Sequence, residues 1–141
     1  MLGYLVAVPL VAVRRQPRIN TAYLDATGTL RSSCGGRPPT VAAVSTMYPA
    51  MDPAGLWHND DPVVGGQARA TVGAYTGGSP EQFPKRYEQI ASATHISAAA
   101  PPTLIVAPRS DHLVPVGGTY RFVERARAAG NPTRSRRSGG H

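Results

Sequence analysis

The spacing of apolar and polar positions divides the chain into a weakly patterned opening, a patterned centre and a basic end. Thr40 to Tyr48 is a short, nearly continuous apolar run closed by Pro49, and Thr103-Leu104-Ile105-Val106-Ala107, introduced by Pro101-Pro102, is a second. Short continuous runs of this kind predict strands buried on both faces, as in a parallel sheet covered by helices. After the second run, Gly118 to Ala129 sets Phe122, Val123 and Ala126 at helical spacing and stops at Gly130, which predicts an amphipathic helix. Strand, loop and helix in this order form the half-unit of α/β sheets.

Between the two strands, Gln67 to Tyr75 predicts a short helix stopped by Gly77-Gly78. Ser79-Pro80-Glu81-Gln82 predicts a helix start, with Ser79 as N-cap, Pro80 at the first helical position and Pro84 limiting its length. Residues 50–66 read as a long loop containing Trp57, expected to pack, and the acidic pair Asp60-Asp61. Upstream, Leu5–Val8 reads as a buried strand and Arg31 to Pro39 as loop. The expected organisation is a weakly defined N-terminal segment (1–39), a structured region (40–130) and a basic flexible tail (131–141). Within that tail, Arg134 to Gly140 has no apolar or β-branched residue to favour a strand.

Composition narrows the picture. A length of 141 residues suits one domain, and 15 Gly with 14 Pro point to many loops or to ends that do not fold. The net charge of +7 gathers at Arg14, Arg15 and Arg18 and at Arg134, Arg136 and Arg137. The tail holds no aromatic residue to stack on bases, so specific nucleic-acid binding is not expected. Cys34 is the only cysteine and the four histidines lack metal-ligand spacing, which leaves no metal site to expect. Leu2 to Val13 is shorter than a membrane helix needs, and its arginines follow the apolar run instead of preceding it. No transmembrane segment is therefore expected, and a cytoplasmic location is the default.

Asp111 stands just beyond the carboxyl end of the second strand, in Leu104-Ile105-Val106-Ala107-Pro108-Arg109-Ser110-Asp111-His112-Leu113-Val114-Pro115. Two further segments are Tyr75-Thr76-Gly77-Gly78-Ser79-Pro80-Glu81-Gln82-Phe83-Pro84-Lys85-Arg86-Tyr87 and Val44-Ser45-Thr46-Met47-Tyr48-Pro49-Ala50-Met51-Asp52. In their order along the chain the three pieces resemble the C-terminal half of an α/β-hydrolase, of the peptidase-like or hormone-sensitive-lipase-like esterases. The resemblance spans residues 40 to 130. It implies an α/β fold, a partial α/β-hydrolase with an incomplete parallel sheet, flanking helices and poorly ordered ends. It also implies that Asp111 is the triad acid, which orients the imidazole and stabilises the imidazolium formed in the reaction. Pro108 stands near the place where the family has Gly.

The remaining machinery departs from the family. No Gly-x-Ser-x-Gly elbow occurs; the nearest segment is Arg31-Ser32-Ser33-Cys34-Gly35-Gly36, which offers Ser33 as nucleophile or as a plain loop serine. Arg37-Pro38-Pro39 follows where the supporting helix should begin, and no histidine precedes His58 to make a His-Gly-Gly oxyanion segment. His141 follows Asp111 in the family order and is the candidate base, whereas His112, next to Asp111 in an extended segment, points away from it. The chain is therefore expected to be a truncated or degenerate carboxylic ester hydrolase with little or no activity of its own, needing no cofactor. Two alternatives remain. One is a minimal esterase using Ser33, Asp111 and His141 on a small ester substrate. The other is a non-catalytic binding or assembly module, oligomeric or covered by a partner at an exposed sheet edge.

Overall fold

The computed structural model describes residues 19–28 and 41–138. The elements along them are α1 (residues 19–26), β1 (Val44–Met47), α2 (Pro53–Trp57), α3 (Gly65–Thr76), α4 (Pro84–Ile90), a 3-10 turn (Ser92–His95), β2 (Thr103–Pro108), α5 (Val116–Ala128) and β3 (Thr133–Ser138). The strands form a three-stranded sheet in the order β1-β2-β3, parallel throughout. The chain is thus a mixed α/β structure. Leu5–Val8, Arg31 to Pro39, Ser33, Cys34 and His141 lie outside the described residues.

The two apolar runs form β1 and β2, paired in register from Val44 with Thr103 to Met47 with Val106. They are not buried on both faces, as continuous apolar character led us to expect. In β2, Thr103, Ile105 and Ala107 are buried while Leu104, Val106 and Pro108 are half-buried; in β1, Thr46 is buried between exposed Ser45 and Met47. Successive side chains point to opposite sides of a sheet, so one face is packed and the other is more open. The packed face meets α1 and α5: Ile19, Ala22 and Tyr23 from one helix and Phe122, Val123 and Ala126 from the other close around Ile105. Ile19, Ala22 and Tyr23 recur at helical spacing, a stripe within the segment read as weakly defined. The Tyr23 hydroxyl lies 2.8 Å from Thr103 Oγ1, tying α1 to β2.

A second apolar cluster lies among the short helices: Ala50, Leu56, Ala68, Val72 and Tyr87, with Trp57 and Leu113 against it. The segment read as a long loop contains α2, because Asp52 caps it and Pro53 takes its first position. Trp57 packs as expected, edge-on to Tyr87 at 6.5 Å between centroids. Gly77 ends α3 at φ 88°, a left-handed conformation that glycine adopts without strain. Ser79 and Gln82 exchange side-chain to backbone hydrogen bonds in a turn, but α4 starts at Pro84 instead of being limited by it. Proline has no N–H to continue a helix and is well placed to begin one. Asn20 joins the helical layers: its Nδ2 donates to the Ile90 carbonyl at 2.9 Å, and its Oδ1 accepts from Ser92 Oγ at 2.7 Å.

Thr133–Ser138, expected to lie in a flexible tail without strand character, is β3. It pairs with β2 along its whole length, from Thr103 with Thr133 to Pro108 with Ser138. Backbone ladders do not depend on side-chain propensity, and an edge position leaves Arg134, Arg136 and Arg137 exposed. Buried Asn131 fixes the entry: its Nδ2 donates to the Ala100 carbonyl at 2.6 Å, while Thr133 Oγ1 donates to its Oδ1.

Candidate functional site

Parallel strands deliver their carboxyl ends to one edge, where the connecting loops can combine side chains from distant parts of the chain. Two loops meet there. After β1, Tyr48 takes φ 52°, an uncommon backbone conformation for a residue with a side chain, and the chain turns through Pro49 into α2. Asp52 holds this loop twice over: Oδ1 accepts from the Gly55 amide at 2.8 Å, and Oδ2 pairs with Arg121 Nη2 of α5 at 2.6 Å. Gly118 allows that approach, because a Cβ there would lie 2.7 Å from the Asp52 Cβ.

After β2, Asp111 occupies the loop leading to α5. Its Oδ1 accepts from the backbone amides of Leu113 at 3.0 Å and Val114 at 2.9 Å, which folds the loop over the carboxylate. No other hydrogen bond or ion pair reaches Asp111 among the described residues, so Oδ2 is available as an acceptor. Ser33 and His141 lie outside the described residues, and no Ser-His-Asp constellation forms among those within them.

The structure assembles a different pair beside Asp111. His112 Nδ1 lies 2.8 Å from Asp61 Oδ2, and Asp61 Oδ1 accepts from the amides of Val63 at 2.9 Å and Val64 at 3.0 Å. The amides of Val64 and Val63, and then His112, hold the Asp61 carboxyl below its ordinary range. Asn59, buried, clamps the two loops together: its Nδ2 donates to the carbonyls of His112 at 2.7 Å and Leu113 at 3.1 Å, and its Oδ1 accepts from the Asp61 amide at 3.0 Å. These residues line an open depression with Asp60, Pro62, Asp111 and Pro115. His112 lies in a turn, not in the extended segment expected, and its partner is Asp61.

The Asp61–His112 pair spans 51 residues of sequence, and no local motif announces it. An aspartate fixed by backbone amides can set the tautomer and orientation of an imidazole, but His112 is largely exposed and no nucleophilic side chain bonds to it among the described residues. No group of three or more His, Cys, Asp or Glu able to hold a metal ion occurs among the described residues. A separate cleft of about 220 Å³ lies between α1 and the short helices, lined by Leu24, Ala50, Leu56 and Val72 with Asn20 and Gln89. No described helix is long and apolar enough to cross a membrane. No protein-family model, curated protein or solved structure matches the chain.

Proposed function

We propose that the chain is the acid-bearing half of a serine ester hydrolase of the α/β-hydrolase kind, with little or no hydrolytic activity of its own. The observation that carries this reading is the placement of Asp111. It follows the carboxyl end of β2, one oxygen is anchored by the Leu113 and Val114 amides, and the other is available to accept from an imidazole. Such an arrangement suits a triad acid, which orients the base and stabilises its protonated form without itself taking the proton. β3 supports the same reading, since it runs parallel to β2 and extends the parallel sheet.

Low activity follows from the rest of the site. The Arg31-Ser32-Ser33-Cys34-Gly35-Gly36 segment lacks the first glycine of the Gly-x-Ser-x-Gly elbow. Loss of one member of a triad lowers turnover by roughly four to six orders of magnitude. The test is labelling of the purified chain with a fluorophosphonate probe, followed by peptide mass spectrometry and an assay on p-nitrophenyl acetate. The expected outcome is no labelled serine and hydrolysis that Asp111→Asn leaves unchanged. A label on Ser33 that Asp111→Asn abolishes would show an active esterase and overturn the silent reading. Relation to the family is tested separately on the flanking coding DNA read in every frame, where a Gly-x-Ser-x-Gly segment upstream is expected and its absence would count against descent.

A further inference from the structure

The register of the sheet defines two faces with different chemistry. Val44, Thr46, Thr103, Ile105, Ala107 and Thr133 share the face packed by α1 and α5. The opposite face carries Ser45 and Met47 from β1, Leu104 and Val106 from β2, and Arg134 and Arg136 from β3. Neither apolar cluster of the described residues includes Met47, Leu104 or Val106, and Met47 is 47% exposed. Tyr48 closes the carboxyl end of this face, since its hydroxyl reaches Ser138 Oγ at 3.4 Å from the far side of β2.

We propose that this second face is the docking surface for an acidic amphipathic helix of a partner protein. Three features select that occupant. Parallel sheets are covered by helices on both faces, and here only one face is packed by described helices. Strands about 4.8 Å apart make a three-stranded face roughly 10 Å wide, the diameter of a single helix. Charge decides the polarity of the partner. Arg134 and Arg136 flank the Met47–Leu104–Val106 stripe on one side, and among the described residues no carboxylate lies on the face and neither arginine pairs with one. A helix with leucine-type residues over the stripe and Asp or Glu along one flank satisfies both halves of the surface. A second copy stacked face to face would bring four arginines and no carboxylate. A polyanionic nucleic acid would leave the apolar stripe unused. The proposal is independent of the ester hydrolase reading.

The test uses two dye-labelled amphipathic peptides with the same leucine face, one flanked by Glu and one by Lys, titrated with the full chain at low salt by fluorescence anisotropy. The Glu peptide is expected to bind with a Kd on the order of micromolar, and the Lys peptide at least about tenfold more weakly. Arg134→Glu with Arg136→Glu should reverse that preference, and Met47→Asp should weaken the Glu peptide by about tenfold. Far-UV circular dichroism checks that each variant is folded. Should the double reversal unfold the sheet, Arg134→Gln with Arg136→Gln is expected to abolish the preference without reversing it. Equal binding of the two peptides to the unaltered chain, or a preference unchanged in folded arginine variants, overturns the proposal. So does binding to phosphatidylserine vesicles without binding to the Glu peptide, which would make the face a membrane surface.

Discussion

Tyr23→Phe removes a single oxygen atom from a side chain that is 0% exposed, and it isolates the contribution of the bond between α1 and β2. Thr103 Oγ1 donates to the Pro101 carbonyl at 3.0 Å, so at its 2.8 Å contact with Tyr23 the phenol is the donor. The phenylalanine ring keeps its packing against Phe122, 6.1 Å away between centroids, and Thr103 keeps its own acceptor. What is lost is one buried hydrogen bond, worth about 1 kcal/mol, with a lone pair of Thr103 left without its donor. A loss of that size lowers the midpoint of thermal unfolding by about 4 °C in a domain of this length. Urea denaturation followed by far-UV circular dichroism, at neutral and alkaline pH, reads the effect. Burial pushes the Tyr23 phenol above its ordinary value of 10.0. The native state therefore holds the proton more tightly than the unfolded chain. The phenol's contribution is complete below pH 10.0 and falls away as pH rises through the native value. The gap between wild type and Tyr23→Phe should consequently shrink above that pH. A neutral-pH difference below about 0.3 kcal/mol, or a gap that widens with alkalinity, would refute the assigned bond.

Three further outcomes test the loops at the sheet edge. Gly65→Ala drives a Cβ into the carbonyl oxygen of Asn59, the residue that clamps the Asp61 and His112 loops, and should cost about 2–3 kcal/mol in urea denaturation; a neutral result would place Asn59 elsewhere. Asp61 has a native pKa held below its ordinary value of 3.8, so its contribution is present above that pH and is lost as pH falls through the native value. Asp61→Asn should flatten the acid limb of the stability profile there, and superimposable profiles would exclude the His112 and amide contacts. Asp111→Asn preserves an oxygen acceptor for the Leu113 and Val114 amides and should cost less than about 1 kcal/mol, whereas Asp111→Ala frees both amides and should cost about 1–2 kcal/mol. Equal losses in the two variants would mean that the loop does not depend on that oxygen.

Local chemistry determined those elements whose cause lies within a few residues. Pro101-Pro102 and the β-branched run after it specify β2, the spacing of Phe122, Val123 and Ala126 specifies the buried side of α5, and Gly77 supplies the positive φ that ends α3. Asp111 could be located beyond a strand end for the same reason. The strand alternation of Thr133–Ser138 was hidden, because an edge strand held by its ladder and by Asn131 needs no apolar residues of its own. The role of Pro84 was ambiguous, since the same missing N–H that ends one helix begins another.

Tertiary structure alone decided the rest. Strand order, parallel direction and register arise from pairings across many residues, and they are what separate a packed face from one that joins Met47, Leu104 and Val106 to Arg134 and Arg136. The Asp61–His112 pair and the Asn59 clamp likewise depend on two loops meeting at the carboxyl edge. A sequence encodes what each segment can form from its own propensities and spacing. Which segments become neighbours is fixed by burying their faces together, and that information resides in no single stretch of the chain.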